Sequence, residues 1–463
     1  EEYIVLKKDD RIVIKKIGKF VDSFIKEDTN KPISKNISGW QALTSNGKNL
    51  LFKDITQVHK HLTQNNTVKL KLSSGFDCLV TENHSLFSFN SENHFIDSRP
   101  EKDKFVALAL KCPNIEKFEK IDVLKEIYEN CSKEEISKLF GSLDNLTQAK
   151  IRILKTDLVI LSNLKNKNIS IMSLSKLSKK DYSTASNCLK RLKEQGFITQ
   201  KRISENYKNI SKINSQGISY LKFLEWFFKN VEYKKGKYRF QPRAIDENLE
   251  EFNKFFNQNI NVNYGKTRFP RFIEINEYLA RFLGFYVSEG STRKTKFTSE
   301  VFLAARVKKM QEMMKESIEK GLNLKIRQNW RGIAIDSQIA YYLIKSVFKA
   351  GIGSYNKEVP EIIFTSNSKI KWEFLRAYYL GDGYSDENRI VFTTVSRKLV
   401  TGLVLLLRML GIKKITIHRQ KNIYRVCIHE SLPFAKIKEK NAKRGHAYFS
   451  LVPNALNSKQ AFE

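Results

Sequence analysis

Two stretches of this chain set an acid beside small residues at helical spacing. The first, FLGFYVSEG (282–290), places Gly284 and Ser288 four apart and Glu289 directly after them. The second, LRAYYLGDG (375–383), does the same with Ala377, Gly381 and Asp382. Residues four apart share one face of a helix. Small side chains at that spacing let two helix backbones approach more closely than the usual separation of about 8–10 Å. On a crossed helix pair, Glu289 and Asp382 then reach the same end. Facing carboxylates repel unless a cation lies between them, and hard oxygen donors with room for water suit Mg²⁺. Paired carboxylates with a divalent cation beside a phosphate point to phosphodiester hydrolysis: the cation polarises a phosphoryl oxygen, acidifies an attacking water and steadies the leaving oxygen. Gly290 and Gly383, which follow the acids, are expected to stop the helices and leave room for a nucleic-acid backbone. Phe285, Val287, Tyr378 and Leu380 are expected to pack against the sheet of their own half. One such stretch alone is an ordinary amphipathic helix with a capped end; two copies in the same order make a site.

The charge balance agrees with a polyanionic partner. Among 463 residues, Lys and Arg number 82 against 49 Asp and Glu, a net charge of +33. Lysines that neutralise phosphates release condensed counterions and so drive nucleic-acid binding, although a solvated lysine-rich surface would have the same composition. Hydrophobic residues at 41% are enough for packed cores, and the length suggests several domains. The five cysteines (Cys78, Cys112, Cys131, Cys188, Cys427) include no C-x-x-C pair. Neither a disulfide framework nor a structural zinc site is indicated, which fits a reducing cytoplasm. The apolar run LVTGLVLLLRMLGI is interrupted by Arg408 and is too short to span a bilayer, so no membrane association is expected.

The elements that would carry the two acids can be placed coarsely. Residues 1–117 read as β, with alternating apolar and polar residues around the KKDD turn and again in TVKLKLSSGFDCLVTENHSLFSF; DKFVALAL is a further strand. Residues 118–235 turn helical, with DVLKEIYENCSKEEISKLF and KTDLVILSNLKN at three and four spacing. There follow a helix, a turn, a second helix, a strand pair and a last helix, the order of a winged helix. The second helix, about 182–194, would bury Ala185, Leu189 and Leu192. It would present Ser183, Thr184, Ser186, Asn187, Lys190 and Arg191 to a major groove, with Lys201 and Arg202 on a basic wing. The plainer reading is a helical spacer with a solvated basic face. Residues 236–270 read as a charged connector. Residues 271–366 and 367–440 form an internal repeat of two α+β units, in which RQNWRGIAIDSQIAYYLIK corresponds to RQKNIYRVCIHESLPFAKIK. Residues 441–463 read as a polar return segment.

The order small–xxx–small–acid–Gly, present twice, resembles the LAGLIDADG homing endonucleases in their single-chain, two-repeat form. That resemblance implies two pseudo-symmetric α+β halves with a saddle of antiparallel strands on duplex DNA. Glu289 and Asp382 would be the metal ligands. It also implies a basic residue on a strand of each half near the scissile phosphates, for which Lys325 (LKIRQNW) and Lys421 (RQKNIYRV) are the candidates, with Lys414 competing for the second role. Unlike halves would read a long asymmetric site as a monomer.

Thr81 and His84 make a T-x-x-H after a glycine turn and strand. By itself this is an ordinary strand-end pair. Here it resembles the second block of inteins, and with YIVLKKDDRIVIKKIGKFVD and GHAYFSLVPNAL it extends the likeness to an all-β, Hint-type splicing domain. By resemblance, Thr81 and His84 would bind the N-terminal scissile peptide, His84 protonating its amide nitrogen during the acyl shift. FLGFYVSEGSTRK and EVPEIIFTSNSKIKWEFLRAYYLGDGY resemble, most specifically, the large inteins of archaeal family B DNA polymerases, which implies polymerase exteins on either side and the uninterrupted allele as target. Splicing by this family uses a Cys or Ser at the first position and a terminal His-Asn. Residue 1 is Glu and the chain ends NSKQAFE, so splicing is expected to be incomplete in this segment. The alternative expectation is a DNA-binding protein or decayed intein nuclease that does not cut.

Overall fold

The computed structural model describes residues 2–437 apart from 28–30, 46–49, 63–66, 90–94, 100–111, 117–119, 133–134, 136–138, 144–147, 166, 204–207, 235–236, 241–259, 265–266 and 296–297. The strand expected in DKFVALAL, most of the connector and the whole return segment with GHAYFSLVPNAL therefore lie outside the described residues. The chain divides into two units. One comprises residues 1–121 and 274–463, the other residues 122–273.

The first part of the first unit is built from short antiparallel strands. β1 (Tyr3–Lys8) and β2 (Arg11–Lys16) form a hairpin through Asp9 and Asp10, both in the left-handed region, which short polar side chains tolerate. β3 (Gln41–Ser45) and β4 (Leu50–Asp54) complete a sheet ordered β2-β1-β3-β4. Alternation puts Leu6 and Val13 inward with Phe20, Ile25 and Val58, and Trp40 packs against this cluster. A separate hairpin, β5 (Thr67–Lys71) and β6 (Asp77–Thr81), turns through residues 72–76.

The second unit opens with α1 (Val123–Asn130), capped by the Asp122 side chain. The helical spacing read through Leu139 and Phe140 does not persist. Those residues form β7 (Leu139–Leu143), which pairs along its length with a strand at Ile260–Tyr264, so pairing across the sheet overrides the local pattern. Residues 237–240, 260–264 and 267–270 of the expected connector supply strands to this five-stranded sheet. Then come α2 (Gln148–Leu164), α3 (Ile171–Ser178), α4 (Tyr182–Glu194), an antiparallel hairpin of β8 (Ile198–Ile203) and β9 (Lys208–Ile213), and α5 (Ser215–Asn230), followed by β10 (Val231–Lys234), β11 (Lys237–Phe240), β12 (Ile260–Tyr264) and β13 (Thr267–Pro270), which complete the sheet in the order β10-β11-β7-β12-β13. A two-residue strand at Ile169–Ser170 pairs with β9. Arg271, 2% exposed, donates to both carboxylate oxygens of Asp122, and the Val123 N–H donates to the Arg271 carbonyl at 2.7 Å.

The rest of the first unit repeats one pattern twice. In the first half, α6 (Glu277–Glu289) leads into β14 (Gly290–Lys294) and β15 (Ser299–Ala304). Next come α7 (Lys308–Leu322), β16 (Arg327–Asn329) and β17 (Gly332–Ile335), with a short α8 (Gln338–Tyr342) closing the half. In the second, α9 (Ser368–Asp382) leads into β18 (Gly383–Ser385) and β19 (Ile390–Thr394), then α10 (Arg397–Met409), β20 (Ile415–Gln420) and β21 (Ile423–Ile428). The sheets are ordered β14-β15-β17-β16 and β18-β19-β21-β20, antiparallel throughout. Both long helices begin on asparagine caps: Asn276 accepts from the Leu279 N–H and Asn367 from the Ile370 N–H. Residues 279, 280 and 282–287 of α6 are buried, so this helix is enclosed on nearly all sides. No helix among the described residues is long and apolar enough to cross a membrane.

Candidate active site

The small residues are where α6 and α9 touch. A Cβ on Gly284 would lie 2.4 Å from the Phe374 carbonyl oxygen and 2.7 Å from the Ala377 Cβ. A Cβ on Gly381 would lie 2.3 Å from the Ser288 Oγ and 2.9 Å from the Glu289 Cγ. Gly284 thus meets Ala377, Ser288 meets Gly381, and the backbones approach to a distance that any larger residue would block. Ser288 satisfies its hydroxyl on its own helix, donating to the Gly284 carbonyl at 3.1 Å. An ion pair between Arg281 Nε and Glu373 Oε2 at 2.5 Å joins the same two helices two turns before the acids.

Glu289 and Asp382 end the helices side by side, both half-buried. Burial raises the pKa of Glu289. Asp382 is pushed up to about 7, first by burial and then by the charge of Glu289, with Lys357 acting in the opposite direction. The two carboxylates therefore lie in each other's field, as their spacing requires. Gly290 and Gly383 stop the two helices, as expected, and do so as their C-caps. Both are extended, with φ of −83° and −112°, and each begins a strand directly. Glycine is needed for space: a Cβ would lie 2.3 Å from the Tyr286 carbonyl oxygen at Gly290 and 2.5 Å from the Tyr379 ring at Gly383. Phe285, Val287 and Tyr378 are buried as expected, but Leu380 is 41% exposed. It lies two residues beyond Tyr378, about 200° around the helix, and so faces away from the sheet that Tyr378 covers.

A lysine absent from the sequence reading completes the cluster. Lys357 is 5% exposed; its Nζ donates to the Tyr286 carbonyl at 2.5 Å and sits 3.3 Å from the centre of the Tyr286 ring. Its own carbonyl accepts from Ser396 Oγ at 2.7 Å, which ties the loop before Pro360 to the second half. Burial pulls its pKa down to about 7, against the pull of Asp382. Lys357 is the cation whose charge acts on Asp382. Its only sequence signal was a lysine between two glycine turns and a proline, and no spacing ties that position to 286 or 382.

The other candidates are placed less centrally. Lys325 is exposed in the loop before β16, not on a strand. Lys421 is exposed in the two-residue turn between β20 and β21, with a positive φ of 54°, and Lys414 lies just before β20. Thr81 ends β6, opposite Thr67. His84 follows one turn later, exposed, its N–H donating to the Thr81 carbonyl at 2.9 Å. The opposite turn of that hairpin rests on the second half: the Ile417 N–H of β20 donates to the Ser74 carbonyl at 2.8 Å, and a Cβ on Gly75 would collide with the Ile417 carbonyl oxygen.

On α4, Ser183, Asn187 and Lys190 are exposed, and Ala185, Leu189 and Leu192 are buried. Thr184 and Ser186 are only half-exposed, and Thr184 is engaged: its N–H and Oγ1 both donate to Asp181, the cap of α4, at 2.7 Å. Arg191 is also held, donating to the buried carboxylate of Asp157 on α2. Cys188, buried, and Tyr220 of α5 donate to the same carboxylate at 3.1 and 3.4 Å. Burial raises the pKa of Asp157 against these partners. A polar knot of this kind fixes α4 on the helices behind it, and the sequence reading had given Arg191 wholly to the outside.

Among the described residues no three His, Cys, Asp or Glu side chains gather as a metal site. The donor set at the helix crossing is two carboxylates alone. It suits a hard cation that keeps most of its coordination for water and a phosphate.

Residues 369–441, which include α9 and Asp382, match the family described as LAGLIDADG-like domain. Most of the chain aligns with segments of archaeal proteins named DNA polymerase. It is 28% identical to that of Thermococcus sp. (strain GE8) over 98% of this chain and 26% of the polymerase. It is 24% identical to that of Methanocaldococcus jannaschii over 89% of this chain and 25% of the polymerase. The chain thus spans about a quarter of the length of these relatives. Among solved structures, I-DmoI in complex with DNA and Mn aligns over 33% of this chain and 90% of its own, at 17% identity and a TM-score of 0.27.

Proposed function

We propose that this chain, which carries a LAGLIDADG-like domain and is homologous to segments of archaeal DNA polymerases, is a site-specific endonuclease that hydrolyses both strands of duplex DNA, set within a protein-splicing intein. The observation that carries the nuclease reading is the close crossing of α6 and α9, which brings Glu289 and Asp382 into one another's field.

Glu289 and Asp382 would hold divalent cations, Mg²⁺ foremost, which when bound supply charge for the phosphoryl oxygens and acidify the attacking water. The protein's own part is mostly positional. The glycine contacts fix the two carboxylates relative to one another, and each helix serves one half of the repeat and so one strand of the duplex. Asp382 must lose its proton before it can ligate. Lys357, brought near neutrality by burial, can take up a proton as water attacks or, when protonated, stabilise negative charge on the phosphate. This assigns to Lys357 the role that the family resemblance had placed on Lys325 and Lys421.

The helices and hairpin of residues 148–230 would act as a winged-helix-like DNA contact, with Ser183, Asn187 and Lys190 of α4 facing a groove. Thr81 and His84 would serve the splicing reaction, with the polymerase exteins as partners. The test is incubation of the chain with duplex DNA carrying the uninterrupted polymerase-gene junction, with Mg²⁺ or EDTA, beside Glu289→Gln and Asp382→Asn. One discrete double-strand cut, lost with EDTA and in both variants, supports the reading. DNA bound but never cut, with Mg²⁺ or Mn²⁺, would leave a decayed nuclease.

A further inference from the structure

The loop that carries Lys357 is tied at both ends. Lys349 pairs with Glu361 at 3.1 Å, and Glu358 pairs with Lys398 of α10. The Glu358 N–H donates to the Ala350 carbonyl at 3.3 Å, and the Tyr286 hydroxyl donates to the Gly351 carbonyl at 2.9 Å. Between these ties the Lys357 carbonyl rests on Ser396, a fully buried residue that caps α10. The Ser396 hydroxyl donates to that carbonyl at 2.7 Å and accepts from the Leu399 N–H at 3.2 Å. It cannot leave either partner without stranding a buried polar group. The first turn of α10 therefore sets the place of Lys357.

The residue after Ser396 reaches the opposite way. Arg397 donates to Glu2 Oε2 at 2.6 Å, and Asp77 Oδ1 lies 3.7 Å from the same nitrogen. Glu2 Oε1 accepts from the Leu79 N–H of β6 at 3.1 Å. One oxygen of Glu2 thus holds the strand that ends in Thr81, and the other holds the helix that carries Ser396. Glu2 and Arg397 are half-buried, where an ion pair is screened less than on an open surface. A cavity lined by Tyr3, Phe76, Cys78, Val400 and Val404 lies beside them, so here the ion pair, and not close packing, joins the amino-terminal strands to α10. A second tie runs through β2, which packs on α10 and on the short helix Glu361–Phe364. Ile12 and Ile14 are 1% and 6% exposed, although the cluster around Leu6 takes only Val13 from this strand.

We propose that Arg397 is a positioning residue for Lys357: bound to Glu2, it sets the first turn of α10 and so the place of the lysine, and it couples the nuclease site to the strand that bears Thr81. The proposal rests on the reading of Lys357 as a group that acts at the scissile phosphate, and it names what holds that group there. Arg397 acts through Ser396 and the Lys357 carbonyl, not on the substrate. A misplacement of about 1 Å at a reacting group costs about 10²-fold in rate, so a bridge that adds little to stability can still decide the rate.

The test uses the full chain with Arg397→Met, Glu2→Ala, the double variant and Arg397→Lys. One reading is the rate at which a short pulse of acetic anhydride acetylates Lys357, measured by peptide mass spectrometry relative to the exposed Lys325. The other is single-turnover cleavage of the duplex target at saturating DNA with Mg²⁺, beside the Kd for the same duplex in EDTA. Arg397→Met and Glu2→Ala should each speed acetylation of Lys357 about tenfold through local opening. Each should slow cleavage about 10- to 100-fold, with Kd and melting temperature nearly unchanged. The double variant should be no worse than either single one, because both remove the same bridge. Arg397→Lys, which can still pair with Glu2, should recover most of the rate. Wild-type acetylation of Lys357 in both single variants would overturn the proposal, as would unaltered cleavage in them where the wild type cuts, or additive losses in the double variant. A wild type that cuts no duplex would sink the nuclease reading, while the acetylation rates would still decide whether Arg397 holds the lysine in place.

Discussion

Asp382, Glu289 and Lys357 form a small electrostatic circuit, and its behaviour with pH follows from their burial. The pKa of Asp382 is raised to about 7, so without a cation its carboxyl carries a proton in mild acid. Cation binding must expel that proton. Mg²⁺ affinity should therefore rise about tenfold per pH unit below about 7 and level off above it, as calorimetric titration would read. Lys357→Met removes the charge that holds the Asp382 pKa down, so the levelling should move to higher pH. The same variant should lower kcat by about 10²–10⁴-fold if the lysine moves a proton. The stability effect has a definite sign. A carboxyl whose folded pKa is raised stabilises the fold below its unfolded value, near 4, and loses that contribution as pH rises through about 7. Asp382→Asn should thus stabilise the metal-free protein increasingly over that window, by about 1–3 kcal/mol after allowance for partial exposure, in thermal unfolding at stepped pH.

At the scale of elements, the crossing of α6 and α9 is the feature on which the site depends. Gly284→Ala sets a methyl against the Phe374 carbonyl and the Ala377 Cβ, and should cost about 1–3 kcal/mol by forcing the helices apart. Gly381→Ala presses on Ser288 and on the Glu289 side chain itself. It should weaken divalent-cation binding more than Gly284→Ala does for an equal loss of melting temperature, a comparison that separates position from stability. The crossing was legible in the sequence because small residues and an acid recur in one order, and period and chemistry agree. Lys357 was not legible, because a buried lysine in a loop leaves no periodic trace and its partners are far away in the chain. The strand at Leu139–Leu143 was missed for a related reason: its apolar spacing reads as helix, and only pairing with Ile260–Tyr264 decides otherwise. Arg191 looks outward on a helical wheel, and the carboxylate that holds it comes from another helix.

At the scale of the whole molecule, charge dominates. With a net charge of +33, DNA binding should weaken steeply with salt, with a slope of log affinity against log salt of about −5 to −10 if six to ten phosphates are neutralised. Lys190→Ala should remove about one unit of that slope, and Asn187→Ala should change affinity with little change in slope. The second unit has a further property. Its chain begins at Asp122 and returns at Arg271, and those residues are joined by a buried ion pair and a backbone hydrogen bond. Topologically the unit is a closed loop tied at its neck. For polymers the cost of closing a loop grows only with the logarithm of its length, so once the neck is fixed the host barely registers how many residues lie beyond it. Residues between the two ends could be lengthened, shortened or exchanged by recombination without a change of path for α6 or α9. A lineage carrying this neck could vary the length and sequence of its second unit while the carboxylate pair stays as it is.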